Sequence, residues 1–444
     1  MLTLPSALHT LAESLQAEGA ALYAVGGCVR DALLGRAVHD IDLCSRFRPD
    51  ELLEKARALG IDARIVQPTL GTVLLTVDGK SFEHTTFRTE SYGAGGAHKP
   101  DAVAFADSPK VDAFRRDFSV NALYESVSDG TIVDPTGGLD DLQNRVLRTT
   151  TANPAVILCD DGLRILRLVR FQAALDFSID PETWAAAKAN AHLLNDVAWE
   201  RKRQELDRIL RGPRVFDALC LLRDVGALKY VLPACADCDG MRQRGDYHQY
   251  DVLTHLFHTC EQTPDELGAR LMGLLHDVGK PEALRRDGNL YAHDVLGEQI
   301  ARAMLEQLRY PNALIERVCA AIRVHMFDLT ETASDATIRK RFALLGRERT
   351  EDLIMIREAD VRGSGYKTAF VAERWRKIYA DMQREHAPFS ESDLCVSGAD
   401  IMAELGLDAG ERVGRIKRQL LLHCAVHPKD NRPDVLLKRM HDYA

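Results

Sequence analysis

No uninterrupted apolar run in this 444-residue chain approaches the roughly 20 residues that a bilayer-crossing helix needs. The opening stretch MLTLPSALHTLAESLQAEG has no basic segment leading into an apolar one, the pattern of a secretory leader. These absences predict a chain that is neither exported nor inserted in a membrane. An excess of positive charge is also missing. The net charge of −9 argues against a uniformly basic coat for nucleic acid, although a bulk value leaves room for a local basic groove. Zinc-type cysteine spacing is absent too: Cys235 and Cys238 form one C-x-x-C pair, but no second Cys or His pair follows at finger-like distance. Ten cysteines are instead scattered along the chain, several inside apolar stretches such as Val25 to Val29 and Ala218 to Leu222. That pattern predicts reduced, buried thiols and a cytoplasmic setting. No internal repeat or low-complexity tract is visible.

What is present is the material for several modules. The length exceeds one ordinary core and allows two to four domains, and a composition of 46% hydrophobic and 28% charged residues is that of a globular protein. Between residue 20 and about 150, short β-rich runs alternate with turns and helical patterns: Leu22 to Val25, Ile41 to Cys44, Thr72 to Val77, Ser81 to Phe87 and Gly130 to Val133. From about 155 onward apolar residues recur at helical spacing through Leu163, Leu166, Phe171, Leu206, Leu210, Phe216 and Leu221. The expectation is an α+β chain, with a mixed α/β head and an essentially all-helical remainder. Gly93, Gly95 and Gly96, followed by His98-Lys99-Pro100, read as a flexible loop of the head.

Chemistry concentrates in the head. Gly26-Gly27 follows an apolar strand and precedes a helix-like segment with Arg30, so backbone amides there could approach a phosphate; a plain tight turn reads the same way. Asp40-Ile41-Asp42 starts a strand, on which residues two apart share a side, and two such carboxylates can hold a pair of Mg²⁺ ions. Glu83, on the next strand pattern, is the candidate third carboxylate or a solvent-facing strand residue. Arg115 and Arg116 offer forked donors suited to triphosphate oxygens, or a solvated helix face. In Asp160-Asp161-Gly162-Leu163-Arg164 and onward, Arg164, Arg167 and Arg170 recur every three residues, and Asp161 and Arg164 are spaced to neighbour each other on one helix face. That pair is an internal salt bridge or a base reader. Cytosine and adenine both present an exocyclic amine beside a ring-nitrogen acceptor, which a carboxylate and a guanidinium would match. Uracil and guanine present the reverse, leaving groups unpaired at about 1–3 kcal/mol each.

The ordered series GGCVRDALLG with DID, FRTESY, RRDFSVNAL, DPTGGLDDLQNRVLR and DDGLRILRLVRF, spanning residues 22 to 171, resembles the class II tRNA nucleotidyltransferases, the CCA-adding enzymes related to bacterial poly(A) polymerases. The resemblance implies a polymerase-β-like head that adds C and A to the tRNA 3′ end from CTP and ATP without a nucleic-acid template. It further implies that Asp40 and Asp42 hold Mg²⁺, that Gly27, Arg30, Arg116, Arg164, Arg167 and Arg170 bind the incoming nucleotide, and that Asp161 with Arg164 reads its base. The chain departs from the pattern at Asp160, where the family more often has Glu, and at Gly162, often Pro.

Residues 199 to 214 carry six basic and three acidic groups around an apolar spine and resemble the family's RNA-contacting neck, or a solvated face. Beyond them His255, then His276-Asp277-Val278-Gly279-Lys280 at the end of an apolar run, then Asp360 match the ligand order of the HD phosphohydrolase superfamily, with His293 and His325 as further site residues. Imidazole and carboxylate together suit a transition metal such as Ni²⁺, Co²⁺ or Mn²⁺, and Gly279 is read as the point where the helix stops. Gly406, Gly410 and Gly414 fall in a segment resembling the family's tRNA-gripping tail. The expected modules are residues 1–150 (catalytic head), 151–235 (neck), 236–370 (HD domain) and 371–444 (tail). The competing readings are a poly(A) polymerase or partial-addition enzyme, a regulatory HD phosphohydrolase with an inactive head, and a purely RNA-binding module.

Overall fold

In the first 150 residues, short β-rich runs, some alternating and some fully buried, build one mixed sheet. In the computed structural model, which describes residues 2–91, 102–243, 249–329, 331–365 and 370–444, its strands are β1 (Tyr23–Val25), β2 (Asp42–Ser45), β3 (Asp62–Gln67), β4 (Thr72–Val77), β5 (Lys80–Thr86), β8 (Tyr124–Ser126) and β9 (Ile132–Val133), while β6 (Arg88–Ser91) and β7 (Ala102–Phe105) form a separate ribbon. The sheet order is β3-β4-β5-β2-β1-β8-β9. Only the β2/β5 pair is parallel; the other neighbours run antiparallel. The Gly93 to Pro100 loop lies outside the described residues.

One face of the sheet is covered by the helix Pro49–Ala58, packed on β3 and β4, with Pro49 at its first turn where a missing N–H costs nothing. The helix Ser6–Ala17 joins it, burying Leu8, Leu11, Ala12 and Leu15 at 3.6-residue spacing. The opposite face buries Val25, Cys44, Phe87, Ala113, Ala122 and Tyr124. The rings of Tyr23 and Tyr124 meet edge to face there, with centroids 6.2 Å apart.

The chain forms two compact units, Met1–Val231 and Leu232–Ala444. In the first, the helix Leu163–Leu175 packs against Trp199–Leu210 and Val215–Asp224. Leu163, Leu166, Phe171, Leu206 and Leu210 are buried as the periodicity predicts. In the third helix, however, Val215, Ala218, Leu219 and Leu222 turn inward instead of Phe216 and Leu221, because neighbouring apolar residues offered two alternative stripes. Past residue 155 the described strands reduce to Ser178–Ile179, paired in parallel with Val146–Leu147. The second unit is helical. Val252–Gln262 packs against Arg347–Gly363 and Leu267–Leu275, closely enough that a Cβ on Gly363 would fall 2.7 Å from the Thr259 amide nitrogen. Among the described residues no helix is long and apolar enough to cross a membrane.

Candidate active site and candidate metal centre

Strand β1 runs into Gly26, whose φ of 85° strains any residue with a Cβ, and Gly27 opens the helix Gly27–Leu33 that carries Arg30. Pairing then assembles the acidic group. Val25 faces Asp42 across β1/β2, and Asp42 faces Glu83 across β2/β5. The strand begins at Asp42, so Asp40 approaches from the segment before it and not by strand alternation. Partial burial, then the Glu83 carboxylate, push the Asp42 carboxyl above its usual range; Arg116 opposes them and Asp40 adds a smaller push. Asp42 thus carries the repulsion of two neighbouring carboxylates, which a divalent cation would relieve.

Arg116 acts on this cluster and belongs to a set of arginines most of which are held by buried acids. Asp112, 1% exposed, accepts from Arg115 Nε at 2.8 Å, from Arg116 Nε at 3.0 Å and from the Tyr124 hydroxyl at 2.9 Å. Burial pushes its carboxyl up, but Arg116 and Arg115 outweigh that and hold it at about 2. Asp117 accepts from Arg167 Nε at 2.7 Å and from the Asn121 amide at 3.2 Å, and Asn121 Oδ1 takes Arg30 Nη1 at 2.5 Å. Glu205, from the helix Trp199–Leu210, takes Arg170 Nε at 2.6 Å and lies 3.9 Å from Arg167. The Phe171 ring centroid lies 5.1 Å from Arg30, 5.3 Å from Arg167 and 4.1 Å from Arg170, so one aromatic ring gathers three cations.

The expected side-by-side placement of Asp161 and Arg164 on a helix face is corrected. Asp161 is extended (φ −148°, ψ 105°) between the helices Pro154–Asp160 and Leu163–Leu175, so helical spacing does not apply to it. Its carboxylate accepts from Arg201 Nη2 at 2.6 Å and from the Leu163 amide at 3.1 Å. Arg164 donates to the carbonyls of Ile157 at 2.8 Å and Arg115 at 2.7 Å, and lies 3.8 Å from Asp160. Gly162, with φ of −57°, adopts the value to which proline is locked, which accounts physically for the interchange with Pro noted above.

In the second unit, three helices and the C-terminal ends of two others bring imidazoles and carboxylates together. His276 donates from Nδ1 to Gly273 O at 2.9 Å, His293 to Leu290 O at 2.7 Å and His325 to Ile322 O at 2.6 Å. A carbonyl can only accept, so each ring carries a proton on Nδ1 and leaves Nε2 as the atom that meets the carboxylates. Nε2 of His276 lies 3.3 Å from Asp277 Oδ2, and Nε2 of His293 lies 3.0 Å from Asp277 Oδ1. Two trios result, His255-His276-Asp277 and Asp277-His293-His325, sharing the Asp277 carboxylate. Asp360 sits 3.1 Å from His255 Nε2. Burial opposes charge on His276, yet Asp277 and then Asp360 hold its pKa up at about 10. The Lys280 ammonium rests against Asp277. A buried pocket that favours positive charge this firmly, with several Nε2 atoms gathered on one carboxylate, fits a divalent metal, which would take the place of the His276 Nε2 proton.

Gly279 does not stop the helix. The helix ends at Leu275, and Gly279 has an ordinary right-handed conformation (φ −78°). It is glycine because a Cβ there would collide with the His293 carbonyl oxygen and lie 2.5 Å from the Gly297 nitrogen.

A family model described as the poly A polymerase head domain matches residues 22–148, one described as a probable RNA and SrmB- binding site of polymerase A matches 176–238, and the HD domain model matches 245–362. The A-adding tRNA nucleotidyltransferase of Deinococcus radiodurans is 34% identical over 422 residues, covering 90% of each chain. The chain belongs to the tRNA nucleotidyltransferase family. The CC-adding tRNA nucleotidyltransferase of Thermus thermophilus is 33% identical over 417 residues, 90% of this chain and 88% of that one. The crystal structure of the Bacillus stearothermophilus CCA-adding enzyme in complex with CTP superposes with a TM-score of 0.71 over 99% of this chain and 98% of that one; at 23% identity it shows the shared fold.

Set in this nucleotidyltransferase, the residues read from sequence fall into two groups, with Asp40, Asp42, Glu83, Gly27, Arg30, Arg116, Asp161, Arg164, Arg167 and Arg170 in the first unit and His255, His276, Asp277 and Asp360 in the second. The acids that hold the arginines, Asp112, Asp117 and Glu205, were not singled out, nor were Arg201 and Lys280. The nearest signal in sequence was an acid four residues before Arg116, which helical spacing would have flagged.

Proposed function

We propose that this nucleotidyltransferase adds C and A to the 3′ end of tRNA from CTP and ATP, choosing bases with protein side chains. The observation that carries the reading is the register that sets Asp42 opposite Glu83, with Asp40 and Arg116 close enough to act on the Asp42 charge. Asp40, Asp42 and Glu83 would hold Mg²⁺, which when bound acidifies the attacking 3′-hydroxyl and stabilises the departing pyrophosphate. Arg30, Arg116, Arg167 and Arg170 bind the triphosphate, their guanidinium forks kept in place by Asn121, Asp112, Asp117 and Glu205. The Gly27 amide, at the opening of its helix, lets backbone approach the phosphates. Asp161 accepts from the exocyclic amine of cytosine or adenine. Arg164 spends two of its five N–H donors on carbonyls and has others for the ring nitrogen. Residues 1–150 act as head, 151–235 as neck, 236–370 as HD body and 371–444 as tail; the ten free cysteines, most of them buried, support a cytoplasmic setting.

The test supplies tRNA ending before C74, before C75 and before A76 with each labelled NTP. Full CCA addition extends all three with CTP or ATP in order. Extension of the last substrate alone, or of the first two alone, would replace this reading with A-adding or CC-adding activity, and repeated A addition to any RNA would replace it with poly(A) polymerase activity.

A second reading rests on the shared carboxylate of the two histidine trios. His255, His276, Asp277 and Asp360, with His293 and His325, would hold Ni²⁺, Co²⁺ or Mn²⁺, supplying a metal-activated water for phosphoester hydrolysis.

A further inference from the structure

The Asp161 carboxylate is positioned by a residue from a distant helix. Asp161 lies in an extended link, so no helix fixes its side chain, and the final torsion of an aspartate is a broad, roughly two-fold one. Acceptor lobes lie near the carboxylate plane, so a rotation about that torsion turns them away from a bound donor. Among the described contacts, the Leu163 amide and Arg201 constrain the plane. The Leu163 amide donates to Oδ1 at 3.1 Å, and Arg201 spans both oxygens, with Nη2 at 2.6 Å from Oδ2 and Nη1 at 3.4 Å from Oδ1. A guanidinium fork matched to a carboxylate constrains direction as well as charge.

Arg201 comes from the helix Trp199–Leu210, which is itself anchored on both sides of it. Lys202 is 1% exposed, with Nζ 3.2 Å from Tyr230 O and 3.8 Å from the Trp199 ring centroid. One turn on, Glu205 holds Arg170 and Arg208. The same rigid helix therefore touches Asp161 with one residue and the phosphate-binding arginines with another.

We propose that Arg201 is a positioning residue for base choice, fixing the orientation in which Asp161 meets the exocyclic amine of the incoming nucleotide. The proposal rests on the reading of Asp161 as a base reader. Without the fork, Asp161 keeps its charge but loses its aim. C and A then lose their advantage over U and G while the chemistry at Asp40 and Asp42 is untouched.

The test measures kcat and KM of the full chain with each of the four NTPs on tRNA substrates, for wild type, Arg201→Gln, Arg201→Lys, Asp161→Ala and the Asp161→Ala/Arg201→Gln double variant, with melting followed in parallel. For R201Q the ratio of kcat/KM for CTP and ATP to that for UTP and GTP should fall about tenfold or more. The Lys variant, which keeps the charge without the fork, should fall between. The double variant should discriminate no worse than D161A, since both changes act through one carboxylate. An equal loss for all four NTPs, or an unchanged ratio in R201Q while D161A shifts it, would overturn the proposal and make Arg201 a structural tie. If D161A also leaves the ratio unchanged, the base-reading role of Asp161 fails and the proposal falls with it. If R201Q does not fold, the ratio in R201K decides in the same way.

Discussion

Replacing Asp112 by Asn should be among the most damaging single changes in the first unit, and its cost can be approached by two routes. The first is the ion pair. Asp112 is 1% exposed and serves Arg115, Arg116 and Tyr124 together. Arg115 keeps Glu90 at 3.2 Å when Asp112 is gone, whereas Arg116 keeps the Tyr124 hydroxyl at 3.1 Å and the weaker attraction of Asp42. Abandoning a buried cation in this way costs about 3–5 kcal/mol. The second route is the titration. The carboxyl falls from the usual 3.8 to about 2 on folding, worth about 2 kcal/mol as a net term after its own desolvation. Because the folded value lies below the unfolded one, this stabilisation is fully present above about pH 4 and is lost as the pH falls through about 2. The two routes bracket a loss of roughly 2–5 kcal/mol at neutral pH, or on the order of 10 °C in the melting of a unit this size. Calorimetry of the full chain, with the fluorescence of Trp184 and Trp199 reporting on the first unit, measures it. Asp112→Asn/Arg116→Met should recover part of the loss, since the abandoned cation is removed as well. A D112N loss below about 1 kcal/mol at pH 7, or one that does not shrink toward pH 2.5, would refute the reasoning.

Further outcomes are expected. Asp40→Ala or Asp42→Ala should abolish nucleotide addition while tRNA binding, measured by filter retention, stays near wild type; near-normal transfer in Mg²⁺ would remove these residues from the metal site. His84 is fully buried, pairs with Ser45 Oγ at 2.8 Å, and burial holds its imidazole down at about 3. Its unfolded form takes up a proton first, so stability should fall as pH drops below 6.5, by about 2 kcal/mol at pH 5, and His84→Gln should flatten that slope in denaturant titrations. Gly279→Ala should force the Lys280–Asp287 and His293–Gln307 helices apart, costing about 3 kcal/mol and reducing bound Mn²⁺ measured by equilibrium dialysis. His276→Ala/Asp277→Ala should abolish transition-metal binding at the histidine cluster and metal-stimulated phosphoesterase activity while CCA addition persists, provided melting shows the chain still folded.

The sequence by itself determined the kinds of structure and most of the chemical cast. The period of apolar residues is a local property, so it separated a sheet-bearing head from a helical remainder and identified Thr72–Val77 as a strand residue for residue. It was weaker for short, fully buried strands such as Tyr124–Ser126, which carry no alternation to read. Asp40, Asp42, Glu83, the arginines, and the histidines with Asp277 and Asp360 were visible because their chemistry is unusual for their surroundings. Tertiary structure alone decided what each one meets. Asp42 faces Glu83 through the pairing of strands 41 residues apart, and Asp161 takes Arg201 from 40 residues away, not Arg164 from three. Asp277 serves two histidine trios, and Gly279 is a glycine for lack of space beside Gly297 and not to end a helix. The reason is the same in each case: hydrogen bonding and steric exclusion act over a few ångströms of space, and the chain folding that makes distant residues neighbours leaves no periodic trace in the sequence.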